Sequence, residues 1–290
     1  MDPLRMLPGH MLEQVRSYVE GDAVPVEPRH AATIVLTRDG VEAAPGALEV
    51  YLLRRHDGMA FAGGMAVFPG GGVDQRDFDA HVAWAGPSPS AWAEQMGCDE
   101  SLARALVCAA VRETFEESGV LFAGRSEDDL VADTSAADWE ADRVALEARE
   151  LAFPDFLAWR GLVLRSDLLR LWSTWITPVF EPRRFNTRFF VAALPPGQQT
   201  RDVSSESETV EWMPVREAIT QVDEQRLLML PPQYCTCLEL YGRTTAAEAL
   251  VEADRHRVEP FLPEVVLEGE QARLTTPGHF ERLYEEVHRT

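Results

Sequence analysis

Residues 112–120 read Arg-Glu-Thr-Phe-Glu-Glu-Ser-Gly-Val. This stretch is the most informative part of the sequence for predicting the fold. A helix advances about 100° per residue, so Glu113, Glu116 and Glu117 project into one sector of about 100°. Apolar and small side chains face the opposite way, namely Val107, Val111, Thr114 and Phe115. The pattern therefore predicts a helix with one face buried and one face crowded with carboxylates.

Three like charges on one helix face repel each other and favour the binding of a cation. Hard divalent cations with oxygen ligands suit such a face, above all Mg²⁺, with Mn²⁺ as an alternative. A solvated acidic helix face is the alternative interpretation, and for an isolated Glu-x-x-Glu-Glu it is the more common one. The choice between the two depends on the neighbouring sequence.

The upstream segment 64–72 ends in Pro69 followed by three glycines, Gly70, Gly71 and Gly72. This composition predicts a short strand that opens into a loop whose backbone can approach a ligand closely. Gly119 ends the carboxylate helix, for which Asp99 or Ser101 is the expected N-cap. A glycine loop and a carboxylate helix together supply the parts that hold a metal-bound diphosphate.

Residues 112–120 resemble the second half of the Nudix box, G-x5-E-x7-R-E-U-x-E-E-x-G-U, in which U is a bulky apolar residue. An uninterrupted box has its glycine 14 positions before the arginine, whereas Gly71 lies 41 positions before Arg112. Roughly 27 residues therefore separate the two halves. We expect them to form a surface insertion at about 74–100.

An interrupted box is similar to the branch of Nudix hydrolases that includes the peroxisomal acyl-coenzyme A diphosphatase of mammals. Further segments resemble that branch: Trp175-Ile176-Thr177-Pro178, the run 183–190, Glu211-Trp212-Met213-Pro214 and Leu230-Pro231-Pro232-Gln233-Tyr234. The resemblance implies an α/β fold, a Nudix-type α/β/α sandwich with a central mixed sheet, helical insertions and a helical C-terminal extension. We expect one domain over residues 1–290, with its core at about 30–242.

Hydrophobic periodicity locates the elements of this fold. Strands are predicted at 29–37, 48–55, 60–69, 120–122, 175–177, 185–194 and 209–213, and helices at 101–118, 215–222 and 278–288. Residues 135–172 carry helical periodicity and predict an inserted helical lobe. The extension 243–290 is expected to be mostly helical.

Composition limits the class of protein. With 46% hydrophobic and 26% charged residues the chain is typical of a globular protein. The net charge is −21 and every basic residue is arginine, which argues against nucleic acid as a partner. No apolar run is long enough to span a membrane, and the four cysteines indicate a reducing, cytoplasmic compartment. The pair Cys235 and Cys237 is a weak zinc candidate, and two buried thiols are the favoured interpretation.

The resemblance also assigns roles. Glu116 and Glu117 are expected to bind Mg²⁺, Glu113 to be a third ligand or the base that orients water, and the backbone of Gly71 to contact the metal. Arg112 is expected to fix a neighbouring carboxylate. Two later glutamates, Glu206 and Glu208, are candidates for one further catalytic carboxylate, with a solvated loop as the alternative for both.

The expected substrate is coenzyme A or an acyl-coenzyme A, cleaved to 3′,5′-ADP and (acyl-)4′-phosphopantetheine. ADP-ribose or NADH is the alternative substrate, and a non-catalytic nucleotide-sensing domain is a second alternative. Substrate contacts are expected from a set of arginines and glycines: Arg55, Gly70, Gly71, Gly72, Arg183, Arg184 and Arg188. For at least one of the last three arginines, a solubilising position at a strand edge is the favoured alternative. A homodimer is compatible with the resemblance, because Nudix proteins are often dimers.

Overall fold

The computed structural model describes residues 13, 15–18, 21, 24–40, 47–59, 62–255, 257–268 and 271–289. The strands are β1 (Arg29–Asp39), β2 (Leu48–Arg55), β3 (Ala66–Val67), β4 (Gly70–Gly72), β5 (Trp84–Ala85), β6 (Ala123–Gly124), β7 (Val163–Arg165), β8 (Arg170–Ile176), β9 (Phe185–Ala193), β10 (Ser207–Pro214), β11 (Pro260–Phe261), β12 (Val265–Glu268) and β13 (Gln271–Leu274). The helices are α1 (Pro89–Met96), α2 (Glu100–Ser118), α3 (Ala137–Glu147), α4 (Phe153–Arg160), α5 (Val215–Asp223), α6 (Pro231–Leu240), α7 (Ala246–Ala253) and α8 (Gly278–His288), with short 3-10 helices at Gln75–Phe78 and Ser166–Leu168.

The central sheet is mixed, in the order β10-β2-β1-β9-β8-β11. The pairs β1–β9 and β8–β11 are parallel and the other pairs are antiparallel. Along one side of the 11-residue strand β1, residues Ala31–Thr33 pair with β4 and residues Thr37–Asp39 pair with β2. Because β1 is a central strand, its pairing with β4 places the glycine strand in the middle of the sheet.

Helices cover both faces of the sheet. Side chains alternate between the two faces of a strand, so Ile34 belongs to the core under α1–α4 whereas Val35 belongs to the core under α5–α8. The α/β/α sandwich with a central mixed sheet is therefore confirmed. A three-stranded sheet β5-β7-β6 and the hairpin β12–β13 lie outside the central sheet.

Helix α2 carries the carboxylates and has the predicted bounds to within one residue. Asp99 is its N-cap, because the Asp99 side chain accepts a hydrogen bond from the Leu102 N–H at 2.9 Å. Small buried residues such as Ala109 and Ala110 let the helix lie close to the sheet. The helix ends at Gly119 in the left-handed conformation, as predicted.

Parts of the predicted secondary structure are wrong. In the segment 135–172, only α3 and α4 are α-helices, and a 3-10 helix at Ser166–Leu168 separates β7 from the start of β8. Pairing determines the conformation of both strands, because β7 pairs with β5 and β6 and β8 pairs with β9. The extension 243–290 contains β11 and a hairpin besides two helices. The prediction of a strand at 120–122 is wrong, since the short strand β6 begins only at Ala123. In the described part of 60–69, only Ala66–Val67 form a strand, β3.

The cysteines are reduced and buried or half-buried. Burial raises the pKa of Cys237 to about 12 and that of Cys235 well above its ordinary value. The interpretation as two buried thiols is confirmed. No helix in the described ranges has the length and hydropathy that a bilayer-spanning segment requires.

Candidate active site

The carboxylates of α2 lie against the glycine strand β4. The Gly70 N–H donates a hydrogen bond of 2.8 Å to Glu117 Oε2. Glu113 lies directly over Gly71, where a Cβ would come within 2.5 Å of its carboxylate. A Cβ at Gly70 would meet the Thr33 side chain at 2.0 Å. Glycine at position 70 therefore lets β4 lie close to β1, and a side chain at position 71 would displace the Glu113 carboxylate.

Arg112 binds several oxygens of the site at once. Its Nε and Nη2 atoms donate to the two carboxylate oxygens of Asp77, each at 3.0 Å. Its Nη1 donates to Glu113 at 2.7 Å and lies 3.3 Å from Glu116, and Nη2 also donates to the Gly72 carbonyl at 3.0 Å. Arg112 therefore fixes the rotamers of two box glutamates and ties α2 to β4, the positioning role that the resemblance implies.

Asp77 is a site residue that the sequence reasoning missed. It lies six positions after Gly71, the spacing between the glycine and the glutamate of the Nudix box. An uninterrupted box would have its glutamate eight positions before Arg112, where Arg104 stands, so the motif counted back from Arg112 does not reveal Asp77. Asp74 to Phe78 lie at the site, so the segment that separates the two halves begins after them and not at Asp74.

Burial and mutual repulsion control the protonation of the glutamates. Burial, then the neighbouring Glu113 carboxylate, raise the pKa of Glu116 to about 7. The same two causes raise the pKa of Glu117 well above its ordinary value. Burial also raises the pKa of Glu113, against the opposing effect of Arg112. The Arg112 guanidinium contacts three carboxylates, those of Asp77, Glu113 and Glu116, so negative charge exceeds positive charge around it.

The later glutamates differ in where they lie. Glu206 forms an ion pair with Arg55 at 3.0 Å. After burial and Glu113, the Glu206 carboxylate adds to the rise in the pKa of Glu117, which Arg55 opposes. Both residues therefore border the carboxylate cluster. Glu208 is exposed at an irregularity of the β10–β2 pairing, and within the described residues it makes no contact with the cluster.

The three arginines of the segment 183–190 do not act together. Arg183 is exposed. Arg184 is buried, and its guanidinium donates to the carbonyls of Thr177 at 3.0 Å and Val26 at 2.7 Å. Arg184 therefore holds main-chain segments together instead of facing a substrate. Arg188 is also buried, and its Nη1 donates to the side chain of Asn186.

The donor atoms of the cluster suit a hard divalent cation. They are carboxylate oxygens with excess negative charge, and they lie next to the backbone of the glycine strand β4, which carries no side chains. Among the described residues, no group of three or more His, Cys, Asp or Glu side chains is arranged to hold a metal ion. The reason is that Glu113 points to Arg112 and Glu117 to the Gly70 N–H. Both carboxylates are thus hydrogen-bonded within the site.

A family model described as the NUDT19 Nudix domain matches residues 94–240, just over half of the chain. The matched segment contains α2 with Arg112 and all three box glutamates. The glycine strand and Asp77 precede it. The match and the geometry therefore point to the same helix independently.

Curated proteins from animals are similar to this chain. The acyl-coenzyme A diphosphatase NUDT19 of Xenopus laevis is 26% identical over 219 residues, which cover 64% of this chain and 58% of that protein. The protein of the same name from Gallus gallus is 25% identical over 254 residues, covering 71% and 66%. Putative nudix hydrolase 7 of Caenorhabditis elegans is 27% identical over 205 residues, covering 71% and 58%. The chain thus spans 58 to 66% of the length of these relatives.

A solved structure has the same architecture. The NUDIX hydrolase from Alicyclobacillus acidocaldarius superposes with a TM-score of 0.66 at 27% sequence identity, covering 78% of this chain and 96% of that chain. The similarity extends over nearly all of the solved chain, so the α/β/α arrangement around the carboxylate helix is shared.

Proposed function

This chain belongs to the Nudix hydrolase family, in the group with the NUDT19 type of Nudix domain, and we propose that it is a Mg²⁺-dependent diphosphatase. Its proposed substrate is coenzyme A or an acyl-coenzyme A. Water cleaves the diphosphate linkage and gives 3′,5′-ADP and (acyl-)4′-phosphopantetheine. Mn²⁺ is the proposed alternative to Mg²⁺.

One observation carries the diphosphatase proposal: Glu113 and Glu117 lie against the glycine strand, and Arg112, which is held by Asp77, contacts Glu113 and Glu116. A diphosphate carries negative charge, which a net negative site repels unless a cation intervenes. The coenzyme A proposal is supported by the names of the frog and chicken relatives.

The three box glutamates have different roles in the proposed hydrolysis. Glu116 and Glu117 hold the cation, which when bound polarises the phosphoryl oxygens. Glu113, kept in one rotamer by Arg112, orients the attacking water and accepts its proton. The water oxygen forms a bond to one phosphorus, the bond from that phosphorus to the bridging oxygen breaks, and two phosphate monoesters leave.

Arg55 and Glu206 border the place where the substrate is cleaved. The Arg55 guanidinium is near Glu117, and its Nη2 forms an ion pair with Glu206. Its Nε is buried and has no hydrogen-bond partner, so this atom is free to donate to a phosphate oxygen. Glu206 holds Arg55 in place, and we assign it this role in preference to Glu208.

A kinetic comparison of substrates tests the proposal. With Mg²⁺ present, kcat/KM is measured for coenzyme A, ADP-ribose and NADH, and coenzyme A is expected to be the best of the three. Equal or better turnover of ADP-ribose would overturn the coenzyme A assignment and leave the diphosphatase chemistry standing. If none is hydrolysed even at high enzyme concentration, the chain is a non-catalytic Nudix domain.

A further inference from the structure

Arg188 is a buried cation without a counter-ion. It is 4% exposed, and within the described ranges no carboxylate lies within ion-pair distance of its guanidinium. Its Nη1 donates to the Asn186 side chain, while its Nε is buried with no hydrogen-bond partner. Burial lowers the pKa of Arg188, so the fold pays a free-energy cost for holding this charge. A buried charge of this kind needs a compensating partner.

The contrast with Arg184 shows that the fold satisfies a buried arginine elsewhere. Arg184 is 7% exposed, and two main-chain carbonyls accept hydrogen bonds from its guanidinium. The two arginines lie four positions apart at the start of β9. Of the two, Arg188 is the one whose buried Nε has no hydrogen-bond partner.

The surroundings of Arg188 are rich in donors. His30 of β1 lies beside it, and its Nδ1 is buried with no hydrogen-bond partner. Burial lowers the pKa of His30, and the Arg188 charge lowers it further. From the α1–α2 junction Cys98 and Asp99 face the pair, but the Asp99 carboxylate caps α2 through the Leu102 N–H. The start of this 19-residue helix adds positive potential.

Sheet register places Arg188 in line with the carboxylate cluster. Gly71 pairs with Ala32 of β1, and Ala32 pairs with Arg188 of β9. Neighbouring strands lie about 4.8 Å apart, so roughly 10 Å separates the backbones of Gly71 and Arg188. Ala32 points into the core under α2, as the Arg188 side chain does, and Glu113 covers Gly71 on this same face. One sugar unit with its two phosphates can bridge such a separation.

We propose that Arg188, with His30 beside it, binds a phosphate group that the substrate carries on its nucleoside, apart from the diphosphate that is cleaved. This assignment rests on the proposed function, since coenzyme A carries such a phosphate on the ribose 3′-oxygen whereas ADP-ribose and NADH do not. The guanidinium presents donors that match phosphate oxygens. The site therefore selects coenzyme A by its extra phosphate.

Titration calorimetry on the full chain tests this site without hydrolysis. The probes are adenosine 3′,5′-bisphosphate and adenosine 5′-monophosphate, with Mg²⁺ present. We expect the wild type to bind the bisphosphate about tenfold to a hundredfold more tightly, the range that one or two charge-assisted hydrogen bonds give. Arg188→Met should bring the ratio of affinities close to one. Equal affinities in the wild type, or an unchanged ratio in Arg188→Met, overturn the assignment.

The Tm of Arg188→Met and three control variants separate binding from folding. Arg188→Met should leave the Tm unchanged or higher, because it removes an unpaired buried charge. Arg184→Met should lower the Tm, because it leaves buried carbonyls without donors. Arg282→Met, on the exposed face of α8, makes the same change in net charge and should change neither property. Arg188→Lys keeps the charge without the planar fork and should lose about tenfold of the preference.

The outcomes distinguish this inference from the proposed function. If coenzyme A is not hydrolysed but the wild type prefers the bisphosphate, the function fails and the phosphate site stands. If coenzyme A is hydrolysed and Arg188→Met lowers kcat/KM equally for coenzyme A and its 3′-dephospho form, the phosphate site fails and the function stands.

Discussion

Replacing Asp77 by asparagine tests the part of the site that lies outside the carboxylate helix. Asp77 is 1% exposed and accepts two hydrogen bonds from Arg112 at 3.0 Å and one from the Asp74 N–H at 2.8 Å. Asparagine has nearly the same volume, but its amide group presents a donor to the guanidinium. At least one charge-assisted hydrogen bond is lost, and Arg112 is left with uncompensated charge.

The expected cost is about 3 kcal/mol of the free energy of unfolding, as for a buried ion pair that loses one partner. For a chain of this size the Tm should fall by roughly 10 °C. The rotamers of Glu113 and Glu116 also lose their anchor, so kcat should fall about tenfold to a hundredfold. Urea denaturation monitored by circular dichroism gives the stability, and an initial-rate assay gives kcat.

Asp74→Asn is the matched control. Asp74 caps the 3-10 helix at Gln75–Phe78 and pairs with the exposed Arg76, and asparagine is an equally good cap. Its cost should stay below about 1 kcal/mol. If Asp77→Asn is no more destabilising than Asp74→Asn and keeps the wild-type kcat, Asp77 does not anchor Arg112 and the first half of the box has been placed wrongly.

Three further predictions concern the glutamates. Glu116→Gln and Glu117→Gln should each lower kcat at least about a hundredfold while the protein stays folded, because each removes a charge that holds the cation; rates within a few-fold of the wild type would contradict these roles. Millimolar Mg²⁺ or Mn²⁺ should raise the Tm by binding the native state alone, and Glu116→Gln should reduce this response; a Tm that stays constant across the titration counts against the site. Without metal, the native state binds more protons than the unfolded chain between the ordinary glutamate pKa and the value of about 7 at Glu116. The free energy of unfolding should therefore fall from pH 5 to pH 8, by up to about 3 kcal/mol, and less in Glu116→Gln; identical pH dependence in variant and wild type would refute the link.

Much of the fold was predictable from the sequence because hydrophobic residues recur with a clear period along its long strands and helices. The strands β1, β2 and β9 and the helices α2 and α8 have the expected bounds to within two residues. The failures fall on short elements. Residues 163–172 continue a helical pattern in sequence, but pairing with distant strands makes 163–165 and 170–172 extended. Strands as short as β12 carry too little pattern to reveal a hairpin.

The sequence predicts which charged side chains form the candidate site, but not which of them contact each other. The spacing of Glu113, Glu116 and Glu117 indicates a shared face, whereas a partner such as Asp77 requires knowing where an interrupted motif resumes. The arginines at 184 and 188 look alike in sequence. Their different roles depend on which main-chain carbonyls fold toward each guanidinium, which only the packed structure determines.

The most direct test of the central claim is mass spectrometry of coenzyme A after incubation with the protein and Mg²⁺, in parallel with the Glu117→Gln variant. Our account predicts 3′,5′-ADP and 4′-phosphopantetheine in equal amounts, formed about a hundredfold more slowly by the variant. Intact coenzyme A after prolonged incubation with excess wild-type protein, or equal rates for the two proteins, would contradict it.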